Sequence, residues 1–351
     1  MSSTRPGFRH PELPPNEAGF QKKEYEAGAA STLCAGCGHD SISNAIIQAY
    51  FEANVAPHKV AKMSGIGCSS KTPAYFLKRS HGFNSVHGRM PSIATGANMA
   101  NRSLYYLGVS GDGDTASIGM GQFTHAIRRN LDMVYIIMNN GCYGLTKGQD
   151  SATTDRGSSS RKGEPNPLES IDLCEIAIQL GAGFVARGFS GDKQQLVPLI
   201  KAGIKHNGIS VIDVISPCVT FNNTAKSTKS YEWVREHREA TGTFDFVPLQ
   251  QEILTSYKEG VTQPVVLHDE TVIHLHKTEA DFDFTSRRKS LDILEKNREK
   301  QRILTGILYI DPDPQNTHDM LGTTEAPLNS LDEEKLCPGN EVLQEINELY
   351  R

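Results

Sequence analysis

The feature that most restricts the fold of this 351-residue chain is a repeated alternation. Short apolar runs are followed by amphipathic stretches of helical period, and several runs end in glycine- or asparagine-rich turns. "YYLGVSGDGD" (105–114) reads as a strand closing in a glycine turn, "ASIGMGQFTHAIRRN" (116–130) as a helix, and "DMVYIIMNN" (132–140) as a buried strand. Helix "IDLCEIAIQLG", strand "GFVAR", helix "DKQQLVPLIKAGIKHNG" and strand "ISVIDVIS" follow in turn. Continuous apolar strands separated by helices at intervals of roughly 15–30 residues predict an α/β domain, a parallel sheet with helices on both faces. Upstream, "HDSISNAIIQAYFEAN" places Ile42, Ala45, Ile46, Ala49, Tyr50 and Ala53 on one helical face, with Asp40 or Ser41 expected as its cap. A short strand around Val60–Met63 runs into "SGIGCSSKT".

Composition narrows the class. A hydrophobic fraction of 38% with 22% charged residues is that of an ordinary globular protein. A net charge of −5, and no Lys/Arg cluster interleaved with aromatics, argue against a nucleic-acid surface. No apolar run reaches the ~18 residues of a membrane span, and "MSSTRPGFRHPELPPNEAG" lacks the apolar core of a signal peptide, so no membrane role and a cytoplasmic location are expected. Seven cysteines, an odd number, fit a reducing compartment. The reading divides the chain into a Pro-rich N-terminal arm (1–30), the α/β domain (31–225) and a more charged C-terminal extension (226–351) that wraps the core or a partner.

In parallel sheets ligands bind beyond the carboxyl ends of the strands. The unusual composition falls there: 65–71, 111–114, 139–149 and Pro217–Cys218. Only 25 residues separate Gly113 from Asn139, one helix plus one strand, so "GDGD" and "NNGCYG" belong on neighbouring strand ends. Asp112 and Asn140, with the carbonyl of Cys142, then suit a hard cation such as Mg²⁺. Gly113, Asp114, Gly144, Leu145 and Thr146 can offer backbone N–H groups to phosphate oxygens. Lys71 and Lys147 are candidates for substrate carboxylates. The pair Cys34 and Cys37 in "LCAGCGHD" leaves three chemistries open: zinc, a redox disulfide, or part of an iron–sulfur cluster. His274 and His276, alternating along "VIHLHK", read as surface strand residues.

A GDG turn followed after about 25 residues by NN resembles the motif with which thiamine diphosphate enzymes hold the cofactor's diphosphate through Mg²⁺. The longer set "CAGCGH", "GIGCS", "HGR", "ATGAN", "GDGD", "HAIRRN" and "YGLTKGQ…SATT", over about residues 28–225, resembles the β subunit of the 2-oxoacid:ferredoxin oxidoreductases. That resemblance implies the thiamine diphosphate-binding fold and one [4Fe-4S] cluster on Cys34, Cys37, Cys68 and Cys218. It puts the backbones of Ile66, Gly67, Cys68 and Ser69 against the thiamine and His87 beside the diphosphate. It implies oxidative decarboxylation of a 2-oxoacid with coenzyme A, or the reverse carboxylation, with electrons passing to ferredoxin. A lysine at the Lys147 position goes, in that family, with 2-oxoglutarate or broad 2-oxoacid use, so 2-oxoglutarate is favoured, with pyruvate or a broad range as the alternative.

Thiamine diphosphate enzymes also need a glutamate from a pyrimidine-binding domain, and this chain has room for one α/β domain. An α subunit is therefore expected to bring that domain and the coenzyme A pocket, giving an αβ heterodimer or a dimer of such pairs. Two other readings stand beside this one, a non-redox thiamine decarboxylase subunit and a zinc-stabilised nucleotide-binding module. The sequence departs from the family pattern at Gly141 and Cys142, where bulkier residues are commoner, and at Ala152, where proline is expected.

Overall fold

The apolar runs form the centre of a nine-stranded sheet. A computed structural model of the chain describes residues 15–146, 148–158, 165–218, 252–267, 271–337 and 339–351. In chain order the strands are β1 (Val60–Ser64), β2 (His81–Asn84), β3 (Tyr105–Gly111), β4 (Met133–Asn139), a two-residue pair β5 (Cys142–Tyr143) and β6 (Gln149–Asp150), then β7 (Phe184–Phe189), β8 (Ile209–Ile215), β9 (Thr262–Val266), β10 (Val272–Lys277) and β11 (Ile303–Ile310). The large sheet runs β2-β1-β3-β4-β8-β7-β11-β10-β9, and β5 pairs with β6 apart from it. Its first six strands are mutually parallel.

Alternate residues of each central strand feed opposite cores, as a two-residue period requires. On β4, Val134, Ile136 and Met138 join the core under helices α1 (Gly38–Glu52) and α5 (Lys193–Lys205). Met133, Tyr135 and Ile137 join the other core, under α2 (Met90–Ala100), α3 (Met120–Arg128), α4 (Leu173–Leu180) and α6 (Arg287–Glu299). With both faces covered, β4 and β8 are buried along nearly their whole length, which is why they read as unbroken apolar runs.

Local structure differs from the sequence reading in four places. Helix α1 starts at Gly38, with Cys37 as its N-cap, so Asp40 lies in the first turn. The start is pinned from outside: Gly38 N–H donates to Pro217 O (3.3 Å), and a Cβ on Gly38 would stand 2.7 Å from the hydroxyls of both Ser190 and Ser216. The helix expected over 116–130 is interrupted: a wide turn, Gly113–Ile118, precedes α3, and the chain restarts at Gly119. No side chain fits at Gly119, because a Cβ would lie 2.6 Å from Asp114 O. The strands β9, β10 and β11 of the C-terminal extension continue the sheet instead of lying over it, β11 pairing antiparallel with β7 across a bulge at Ile307–Tyr309. His276 is buried, between Thr262 Oγ1 (2.9 Å) and Glu279 Oε1 (3.0 Å), while His274 is exposed.

The described part of the N-terminal arm packs on the domain. Tyr25 is fully buried against Phe51, and its hydroxyl accepts from Asn16 Nδ2 (2.7 Å). Among the described residues no helix is long and apolar enough to cross a membrane.

Candidate active site

The parallel pairing of β3 with β4 sets Gly111 opposite Met138, so both strands end at one edge with Asp112 and Asn140 side by side. Asn140 N–H donates to Asp112 Oδ1 (3.1 Å). The other oxygen, Oδ2, accepts from Thr153 Oγ1 (2.8 Å) and from Ser151 Oγ. Asp112 is almost wholly buried, and its carboxyl is held above the usual carboxylate range: burial outweighs the opposing hydrogen bonds of Ser151, Thr153 and Asn140. Asn140 Oδ1 accepts from Cys142 N–H (3.1 Å). Among the described residues no group of three or more His, Cys, Asp or Glu side chains could hold one ion. A Mg²⁺ shell needs no such group here: one carboxylate, one amide oxygen, a backbone carbonyl and phosphate oxygens suffice. A buried carboxylate whose partners are all neutral donors fits such a cation.

Asp114 ties three loops together through its side chain. Its Oδ1 accepts from Gly88 N–H (2.7 Å) and Ile66 N–H (3.4 Å) and touches His87 Nδ1, while Oδ2 accepts from Ser110 Oγ (2.6 Å). Gly65 is obligatory beside it, since a Cβ there would fall 1.7 Å from Asp114 Oδ2. Tyr143 closes the other side, its hydroxyl donating to Gly113 O (3.1 Å) and its ring edge-on to His87. Gly144–Thr146 form a single tight turn after β5, with Leu145 exposed. Ser69 is buried at the head of the Ser69–Ala74 turn, its Oγ 3.4 Å from where a Cβ on Gly111 would stand. Lys147 lies outside the described residues.

The four cysteines, all among the described residues, come from three separate segments near the same edge, with no three of their sulfurs placed to hold one ion. A Cβ on Gly144 would stand 3.5 Å from Cys218 Sγ and 3.6 Å from Cys68 Sγ, so both sulfurs flank the turn that follows Asn140. Cys37 N–H donates to Cys34 O (3.0 Å), and the Gly38–Pro217 bond brings that pair to the Cys218 segment. His39 Nδ1, 2.6 Å from Ser216 Oγ, fastens the same junction. Burial raises the thiol pKa at Cys34 and Cys68, with the charge of Cys218 adding to it and Lys71 opposing it at both. Cys37 is pushed up to about 12, again mainly by burial. Burial thus holds the proton on Cys34, Cys37 and Cys68, so their thiolate forms need a positive partner. A fifth thiol, Cys142, bonds to Cys218 and lies 3.4 Å from Asn140 Oδ1; that bond, then burial, push its pKa far up. Cys174 is buried on α4 and Cys337 is exposed in the C-terminal region, both away from this cluster.

Sequence reasoning missed several members. Ser151 and Thr153 were legible only as part of a polar "SATT" run, and the side-chain role of Asp114 had no signal beyond the motif itself. Among the described residues Arg89 Nη1 donates to the carbonyls of Gly88 and Ile118 (both 3.5 Å).

The family described as "Thiamine pyrophosphate enzyme, C-terminal TPP binding domain" matches residues 65–214. The chain is 44% identical over 191 residues to a 2-oxoacid:ferredoxin oxidoreductase subunit beta of Sulfolobus sp, covering 54% of this chain and 63% of that protein. It is 38% identical over 210 residues to the 2-oxoglutarate synthase subunit KorB of Methanocaldococcus jannaschii, covering 58% and 77%. The structure also resembles a solved 2-oxoglutarate:ferredoxin oxidoreductase from Magnetococcus marinus, with 2-oxoglutarate, coenzyme A and succinyl-CoA bound: TM-score 0.68, 26% identity, 90% of this chain and 94% of that one. The match spans 63% and 65% of the length of the Sulfolobus and Saccharolobus relatives, a little under two thirds. The chain belongs to the β-subunit family of the 2-oxoacid:ferredoxin oxidoreductases.

Proposed function

We propose that this chain is the thiamine diphosphate-binding β subunit of an enzyme that converts 2-oxoglutarate and coenzyme A to succinyl-CoA and carbon dioxide, or runs the reverse carboxylation, exchanging electrons with ferredoxin. The observation that carries the reading is the adjacency at Gly144. The turn that would cradle a diphosphate is flanked by Cys68 and Cys218, so a redox centre and an organic cofactor would share one wall. When bound, thiamine diphosphate supplies carbanion chemistry at the keto carbon and a [4Fe-4S] cluster supplies a one-electron acceptor.

In this reading Asp112, Asn140 and the Cys142 carbonyl hold Mg²⁺. Backbone N–H groups of Gly113, Asp114, Gly144, Leu145 and Thr146, with His87, receive the diphosphate, and Ile66, Gly67 and Ser69 lie along the thiamine. Asp114 would keep the His87 and Ile66 loops in place while the cofactor enters. Cys34, Cys37, Cys68 and Cys218 ligate the cluster. Lys71, whose charge already falls on Cys34 and Cys68, and Lys147 are the candidate partners of substrate carboxylates. A second lysine-bound carboxylate favours a dicarboxylate, and relatives named for 2-oxoglutarate point the same way. Relatives named only for 2-oxoacids keep a broader substrate range as the second reading.

Phe83 on β2, and Val86, Ile118 and Leu145 in the segments around the site, are exposed apolar residues of the kind that a partner covers. We assign that surface to an α subunit bringing the pyrimidine-binding domain and the coenzyme A pocket. Chain purified without air should carry about four irons and four sulfides. Co-expressed with its α subunit it should reduce ferredoxin only when both 2-oxoglutarate and coenzyme A are present, and alone it should show no such activity. One zinc with no iron, or full activity without a partner, would overturn the reading.

A further inference from the structure

A charged network lies beneath the cation site and ends on it. Arg187, on β7, is buried and sits opposite Asp213 in the β7–β8 register. Its Nε donates to Asp213 Oδ2 (3.1 Å), and its Nη2 donates to Asp172 Oδ1 (2.5 Å). That same Asp172 oxygen caps α4, accepting from Cys174 N–H (2.9 Å) and Glu175 N–H (3.1 Å). Asp213 uses its other oxygen on the next strand: Asn139 Nδ2 donates to Oδ1 (3.1 Å). The amide of Asn139 is thereby turned so that its Oδ1 faces the loop, where Gly141 N–H (3.3 Å) and Thr153 Oγ1 (3.1 Å) reach it. Thr153 Oγ1 also bonds Asp112 Oδ2 (2.8 Å).

Three adjacent strands thus supply one connected path from α4 to Asp112. Asn139 is the first residue of the NN pair, and nothing in the site's own chemistry requires its side chain. A cavity of about 580 Å³ runs along this path, bordered by Asn139, Asn140, Thr153, Arg187, Asp213 and Cys218. Side chains beside a void are not held by close packing, so the hydrogen bonds must set the orientation of Asn139 and, through it, the loop 139–141.

We propose that Arg187 is a positioning residue for the cation and diphosphate site. By holding Asp213 against Asn139 it fixes the loop that carries Asn140 and the hydroxyl that steadies Asp112. This inference rests on the thiamine diphosphate reading given above. A guanidinium is needed because its fork reaches two carboxylates at once, which an ammonium cannot copy.

The test uses the αβ complex stripped of cofactor, with thiamine diphosphate and Mg²⁺ titrated back by calorimetry and melting temperatures recorded in parallel. Arg187→Lys and Arg187→Met should each weaken cofactor binding by about 10–100-fold, the range for partners behind a metal ligand. The double substitution Arg187→Met with Asp213→Asn removes the more deeply buried of the two stranded charges, leaving the partly exposed Asp172, and keeps an acceptor for Asn139; it should return affinity to within about threefold of the native complex. Native-like affinity in both single variants, with only the melting temperature lowered, would mean a purely structural ion network and overturn the proposal. A double variant as weak as Arg187→Met would do the same. If Arg187→Met does not fold, Arg187→Lys and the double variant decide. A native complex that binds no thiamine diphosphate would instead overturn the function reading, before any variant is made.

Discussion

Replacing Cys68 with serine should remove iron from the anaerobically purified chain, abolish the reduced-cluster signal in electron paramagnetic resonance, and lower ferredoxin reduction by the αβ complex at least about 100-fold, beyond what losing an outer partner of a metal ligand costs. The size follows from position. Cys68 immediately precedes the buried Ser69 turn, and its sulfur lies 3.6 Å from where a Cβ on Gly144 would stand, beside the turn proposed to receive the diphosphate. A serine there cannot supply the soft sulfur ligand of an iron site. The control is Cys337→Ser: that thiol is exposed at the end of a short helix far along the C-terminal region, and its loss should change neither iron content nor rate. Thiamine diphosphate binding is the internal check. It should survive Cys68→Ser within a few-fold, because in the proposed site Mg²⁺ and diphosphate would be held from Asp112, Asn140 and the backbone. An unchanged iron content in Cys68→Ser would break the assignment of the four cysteines.

The sequence carried the interior of the sheet well, because a central parallel strand must be apolar on both faces and β3, β4, β7 and β8 are. It also carried the meeting of Asp112 with Asn140, since one helix plus one strand between two motifs leaves neighbouring parallel strands as the natural outcome. What escaped was set by the order of strands in space. Arg187 faces Asp213, and Asp213 faces Asn139, only because β8 inserts between β4 and β7; no local pattern announces that. Ser151 and Thr153 reach Asp112 from 39 and 41 residues away, through a loop with no period of its own. The C-terminal strands read as a polar appendage because β9 and much of β10 are exposed at the sheet edge, where charged and apolar residues mix. The cysteines were legible as a set only through the family motifs, since C-x-x-C alone serves three chemistries.

Asp112→Asn should separate cofactor binding from stability in opposite directions. The asparagine keeps an oxygen for Ser151, Thr153 or the Asn140 N–H, so the local hydrogen bonds largely persist. It loses the charge that a buried divalent cation needs, and binding of thiamine diphosphate with Mg²⁺ should weaken by about two orders of magnitude, about 3 kcal/mol. The cofactor-free protein should melt no lower than the native one. In the native apo site a carboxylate sits in the interior with only neutral donors around it, and burial already raises its proton affinity above the ordinary value. Removing that charge removes a desolvation cost which the hydrogen bonds of Ser151, Thr153 and Asn140 offset only in part. Ser151→Ala gives the contrasting case: it leaves the carboxylate in place with one donor fewer, so the apo protein should lose about 1–3 kcal/mol. Calorimetric titration and thermal melts on the two variants read both effects. Tight, Mg²⁺-dependent cofactor binding in Asp112→Asn would remove Asp112 from the cation's shell and move the diphosphate site elsewhere along the strand ends.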